Sequence, residues 1–111
     1  MRFRKELVGS ATCPLILAVL NNGPAHGYEI VQTVNMLSGG HFEWREGTVY
    51  PALHRLEKQG LIRGDWRRSD AGKRRRVYSL TAAGRKELAA QRQEWGVFAE
   101  SVSRIMEKCH A

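Results

Sequence analysis

The chain has 111 residues, 42% hydrophobic and 26% charged, a balance that excludes disorder and fits one globular domain with at most an appended helix. A core of this size is limited, so self-association is a natural source of extra stability. The formal net charge of +7 and a pI near 10.0 favour a polyanionic partner, nucleic acid first and an anionic membrane surface second, although charge alone also serves solubility.

In chain order, residues 3–22 read as a first helix. Leu15, Ile16, Leu17, Val19 and Leu20 are apolar almost all round, the mark of a buried helix. Pro14 lacks an N–H, so either the helix starts near Thr12 or an earlier turn from Lys5 joins it at a bend. Gly23-Pro24 ends it. The opening Met1-Arg2-Phe3-Arg4-Lys5 has the charge of a signal n-region. The apolar run over residues 14–20 is nevertheless short, leads into Asn21-Asn22 rather than a small-residue cleavage site, and cannot span a bilayer. A cytoplasmic protein is expected.

A second helix is predicted from His26 to Ser38, with Ile30, Val34 and Leu37 on one face and Gly39-Gly40 as its stop. Phe42 and Trp44 follow in a connector. The third helix starts near Thr48; with Thr48 as N-cap, Pro51 falls at the third helical position, where a missing N–H breaks no bond. Val49, Leu53 and Leu56 then face the core, while Gly47, Pro51, His54, Arg55 and Lys58 face outward, and Gly60 ends the helix. Two strands come next, joined by Ser69-Asp70-Ala71-Gly72 turn chemistry. Ile62 and Trp66 share one parity, as do Tyr78 and Leu80, so each strand is expected to turn these residues inward. Thr81 caps a last helix to about Lys108. In it Leu88, Trp95 and Val102 recur every seven residues, and Phe98 and Ile105 follow the last two by three. That seam suits a partner helix.

Residues 63–76 carry Arg63, Arg67, Arg68, Lys73, Arg74, Arg75 and Arg76 against Asp65 and Asp70, a net +5 in fourteen residues. An amphipathic helix followed by a basic hairpin is the pattern of a winged helix-turn-helix, with the helix in a DNA groove and the hairpin beside it. The expected fold is therefore mainly α (α+β): a winged domain over residues 1–80 with a two-stranded β-wing, and a long C-terminal dimerisation helix over 81–111. A polar outward face is ordinary on any helix. The basic hairpin next to it shifts the balance, because crowded cations repel one another unless a polyanion neutralises them.

No enzyme is readable in the chain. The serines lack a paired base, no glycine-rich loop joins a strand to a helix, and the four histidines have no ligand spacing. Cys13 and Cys109 form no motif and fit a reducing compartment. No metal and no cofactor is expected. Trp95 has two readings, an aromatic of a dimer core or the wall of a cavity between subunits where a flat apolar ligand stacks.

The segments His26-Gly27-Tyr28-Glu29-Ile30, Gly47-Thr48-Val49-Tyr50-Pro51-Ala52-Leu53-His54-Arg55-Leu56-Glu57, Gly60-Leu61-Ile62 and Arg74-Arg75-Arg76-Val77-Tyr78-Ser79-Leu80-Thr81 with Gly84 resemble the PadR family of bacterial transcriptional regulators. The single C-terminal helix, the Lys5-Glu6-Leu7 segment and Trp95 are similar to its compact LmrR-like subfamily. The resemblance implies a homodimer that binds a pseudo-palindromic operator on double-stranded DNA, most members being repressors. It implies that Gly47, Thr48, Tyr50, Pro51, His54 and Arg55 lie at the major groove. Lys73, Arg74 and Arg75 would meet the backbone or minor groove from the wing, and Tyr28 a phosphate. The last helix, with the first, would form the interface through Leu7, Leu88, Trp95, Phe98, Val102, Ile105 and Met106. A small apolar or aromatic effector would bind beside Trp95 and Ala99, where the drug-binding relative carries an acidic residue; here Glu100 is adjacent. The alternative is a non-specific nucleic-acid-binding structural protein that uses the same hairpin without an operator.

Overall fold

The computed structural model describes residues 1–110, so Ala111, the end of the expected 81–111 segment, lies outside them. In chain order it contains α1 (Lys5–Leu20), β1 (Ala25–His26), α2 (Gly27–Leu37), α3 (Glu46–Lys58), β2 (Ile62–Arg68), β3 (Arg74–Leu80) and α4 (Ala82–Lys108). It is mainly helical α+β with a small antiparallel sheet and a long last helix.

The core forms where apolar stripes of three helices converge. Ile16, Leu17 and Leu20 of α1 meet Ile30, Val31 and Val34 of α2 and Val49, Ala52, Leu53 and Leu56 of α3, with Trp44, Ile62 and Tyr78 closing the edges. Each fully buried large aliphatic side chain contributes about 1.5–3 kcal/mol. The connector before α3 is held by Asn35, whose Oδ1 accepts from Trp44 N–H at 2.7 Å and whose Nδ2 donates to the Trp44 carbonyl at 3.0 Å. That pair of hydrogen bonds between side chain and backbone fixes the connector with Trp44 in the core, 4% exposed.

Several expectations need correction. The first helix is continuous from Lys5, with Pro14 inside it, so Ser10 lacks its i+4 donor. α3 begins two residues before Thr48, with an extended Arg45 as N-cap and no side-chain cap. Pro51 is therefore an interior residue, and Gly47 loses the N–H that would bond its carbonyl. Leu37 is 71% exposed, because the core ends at Val34 and the last turn of α2 runs past it.

Gly60 ends α3 as expected. At φ 74° it lets Leu61 N–H reach the Leu56 carbonyl and its own N–H the Glu57 carbonyl, both at 3.0 Å, the paired bonds of a Schellman stop. The sheet has three strands in the order β1-β3-β2, one more than the expected two, because Ala25 and His26 pair with Tyr78 and Val77. Thr81 caps α4 as expected, its Oγ1 accepting from Gly84 N–H at 3.0 Å. At 1.5 Å per residue, the 27 residues of α4 extend about 40 Å, and the chain is drawn out to 59 × 29 × 21 Å.

Candidate nucleic-acid interface

With Val49, Ala52, Leu53 and Leu56 buried, helical periodicity puts Gly47, Pro51, His54 and Lys58 on the outermost stripe of α3, and all four are exposed. Tyr50 flanks that stripe toward the wing. Thr48 and Arg55 flank it on the α1 side. Arg55 Nη2 lies 4.0 Å from Cys13 Sγ, and Thr48 lines a shallow depression with Lys5 and Val8.

Tyr28, Tyr50, His54, Lys73, Arg74 and Arg75 gather around a single concave groove of about 1050 Å³ between α3, the wing and the start of α2. Trp66, Lys58, Arg76, His26, Tyr78 and the carboxylates Glu46 and Glu57 complete its wall. Sequence reasoning did not assign these seven to the site. Lys58 carried a usable signal, being one turn beyond His54 on the same stripe. Trp66 was expected inward but is 58% exposed. It does share a sheet face with Ile62, yet the sheet runs beyond the core, so its far end faces the groove instead.

The register explains the electrostatics. Arg67 lies opposite Arg75 and Arg68 opposite Arg74. Like charges directly across a ladder are unfavourable, and of these four only Arg74 and Arg75 line the groove. On the face toward α3, Gly64 pairs with Tyr78 and Trp66 with Arg76. Arg76 Nη2 donates to Glu57 Oε2 at 2.6 Å. That hydrogen bond, together with the carboxylate charge, raises the Arg76 pKa above its ordinary value despite some burial. Burial pushes the Tyr78 phenol up as well, with Arg76 pulling the other way.

His26 joins the wing to α2. Its Nδ1 accepts from Glu29 N–H at 3.3 Å while Glu29 Oε1 accepts from His26 N–H at 3.1 Å, a reciprocal cap. Glu29 Oε1 also lies 3.2 Å from His26 Nε2. Arg75 Nη1 is 2.7 Å from that same Nε2, a contact that ties the wing to the start of α2. Tyr28, half exposed, stacks on His26 at 6.5 Å.

The C-terminal half of α4 presents a separate apolar surface. Trp95 is half-buried and packs edge-on against Phe98 at 5.7 Å. Val102 is half-buried, while Leu7, Val97, Phe98, Ile105 and Met106 are exposed. Ala99 is exposed beside them. Leu88 departs from the expected interface. It is 5% exposed and packs into the protomer's own core, because α4 crosses α1 there before projecting outward. Nearby, Leu15, Val19, Val34, Leu37 and Phe42 line an apolar depression of about 460 Å³. Among the described residues no group of three or more His, Cys, Asp or Glu side chains could hold a metal ion, and no helix is long and apolar enough to cross a membrane.

The profile of the transcriptional regulator PadR-like family matches residues 16–90. The transcriptional regulator YqjI of Escherichia coli K12 is 30% identical over 95 residues, which are 86% of this chain but only 42% of YqjI. Among solved structures, a transcriptional regulator from Clostridium thermocellum superposes with a TM-score of 0.83 at 25% identity, covering 92% of this chain and 96% of that one. A PadR-like transcriptional regulator from Bacillus cereus does so at 0.80 and 27%, covering 92% and 97%.

Proposed function

This chain belongs to the PadR-like family of DNA-binding transcriptional regulators, and on that footing we propose that it acts in the cytoplasm as a homodimeric repressor occupying a pseudo-palindromic operator. The supporting observation is the groove itself. A polar helix face and a basic hairpin line one concavity, and Arg74 and Arg75 on its wing make no carboxylate pair among the described residues. Phosphate contacts from the wing would supply most of the affinity, and side chains of α3, with His54 and Tyr50 foremost, would read base edges.

The winged part, residues 1–80, would be duplicated by residues 81–111. The half-buried Trp95 and Val102 and the exposed Phe98, Ile105 and Met106 of one α4 would meet α1 and Leu7 of the other protomer, and the depression lined by Leu15, Val19 and Leu37 offers complementary apolar surface. A flat apolar effector would enter between the two Trp95 rings, next to Ala99, and shift the spacing of the two reading helices.

The test is a competition binding assay with labelled duplex from upstream of the protein's own gene. Unlabelled upstream duplex should displace the label at far lower concentration than a scrambled duplex of the same length. Equal displacement would leave only a non-specific nucleic-acid binder.

A further inference from the structure

The groove holds an aromatic whose burial does not explain it. Trp66 is the fifth of the seven residues of β2, 58% exposed, and two guanidiniums approach its ring, Arg74 with Cζ 5.3 Å from the centroid and Arg76 at 5.8 Å. Cation–π attraction orients both, but their situations differ. Arg76 is committed to Glu57 at 2.6 Å and also lies 5.9 Å from the Tyr78 ring. Room for it exists only because residue 64 is glycine; a Cβ there would lie 2.6 Å from Arg76 Nε. Arg74 has no carboxylate partner among the described residues. A chain of contacts thus runs from Glu57 on α3 through Arg76 to Trp66 and on to Arg74 at the open side of the groove.

We infer that Trp66 is a DNA-contacting platform of the wing, which holds Arg74 toward a phosphate while the Arg76–Glu57 pair fixes the platform relative to the reading helix. The inference deepens the function proposed above and rests on it for the identity of the partner, the sugar-phosphate backbone of duplex DNA. An indole offers a flat apolar face to deoxyribose, and a guanidinium stacked on its ring loses less freedom on meeting a phosphate than a free one. Because Glu57 lies three residues beyond His54 on α3, the wing cannot tilt without disturbing a contact of the helix that reads bases.

Three variants of the full chain test this, with affinity for upstream and scrambled duplex measured by fluorescence anisotropy across a salt series. Trp66→Ala removes no charge, so its salt slope should match wild type while affinity falls about tenfold. Melting temperature should hold, since the side chain fills no core space. Trp44 is buried and Trp95 lies on α4, so the change in tryptophan emission on adding duplex should vanish in Trp66→Phe. Glu57→Gln adds a net positive charge, which by charge alone would tighten binding; it should instead narrow the preference for upstream over scrambled duplex. Unchanged affinity in Trp66→Ala, a full emission change in Trp66→Phe, or tighter binding with intact preference in Glu57→Gln would overturn the inference. If wild type shows no preference while Trp66→Ala weakens every duplex alike, the operator reading fails and the platform stands.

Discussion

Two glycines in the matched segments carry opposite kinds of close contact. A Cβ on Gly84 would lie 2.0 Å from the Leu61 carbonyl oxygen, which already accepts from Thr81 N–H at 3.1 Å. Backbone meets backbone there and nothing can swing aside. A Cβ on Gly27 would lie 2.9 Å from Cζ of Tyr50, the far end of a movable side chain that lines the groove. The expected outcomes therefore separate. Gly84→Ala should lower stability by about 1–3 kcal/mol, read as an earlier thermal transition. Gly27→Ala should leave melting nearly unchanged and weaken duplex binding, because Tyr50 is pushed from its place. A binding defect without a stability defect in Gly84→Ala would contradict this division. At this scale the sequence reached part of the candidate groove, since Gly47, Thr48, Pro51 and Arg55 do not line it. Tyr28, Tyr50, His54, Lys73, Arg74 and Arg75 all reach one groove. Trp66 was misread because strand parity assigns a face, and only the extent of the core decides whether that face is covered.

Among the elements, the wing departs most from a self-sufficient structure. Its turn is closed by Ser69 N–H to the Lys73 carbonyl at 2.8 Å and by Gly72 at φ 82°, so the hairpin is well formed, yet it places Arg67 against Arg75 and Arg68 against Arg74. Such pairing is tolerable only where counterions or a polyanion screen it. Replacing Arg74 and Arg75 together by Ala should weaken binding to every duplex and flatten the dependence of log affinity on log salt by about 3.6 for the proposed dimer, at roughly 0.9 for each phosphate left without its cation. An unaltered slope would mean that neither side chain touches a phosphate. Helix ends were legible wherever glycine supplied a left-handed residue, as at Gly39 and Gly60. The start of α3 was not, since Thr48 offers a good cap but the chain already turns helical at Glu46 after the extended Arg45. The two-residue β1 was invisible because alternation needs more residues than it has, and its pairing with β3 is a tertiary event.

For the whole molecule, the issue is how the apolar end of α4 is covered. The seven-residue spacing of Leu88, Trp95 and Val102 could not distinguish packing within a chain from packing between chains; the structure divides it, with Leu88 inside and the later residues outward. The proposed dimer is tested by Phe98→Glu. Phe98 is 55% exposed, so the change leaves the core intact, and a monomer in light scattering with an unchanged fold is expected. A persistent dimer would place the interface elsewhere. The anchoring of α4 has a mechanical consequence. Its first turn rests without slack on the Leu61 carbonyl, and the rod beyond is about 40 Å long. Any rotation where two such rods would cross at Trp95 would therefore reach the winged bodies, at about 0.35 Å of displacement per degree over the roughly 20 Å of helix between Trp95 and the first turn. A few degrees of scissoring would carry the paired reading helices out of step with the pitch of the double helix, so even a small intruder at the crossing would have ample leverage to release it.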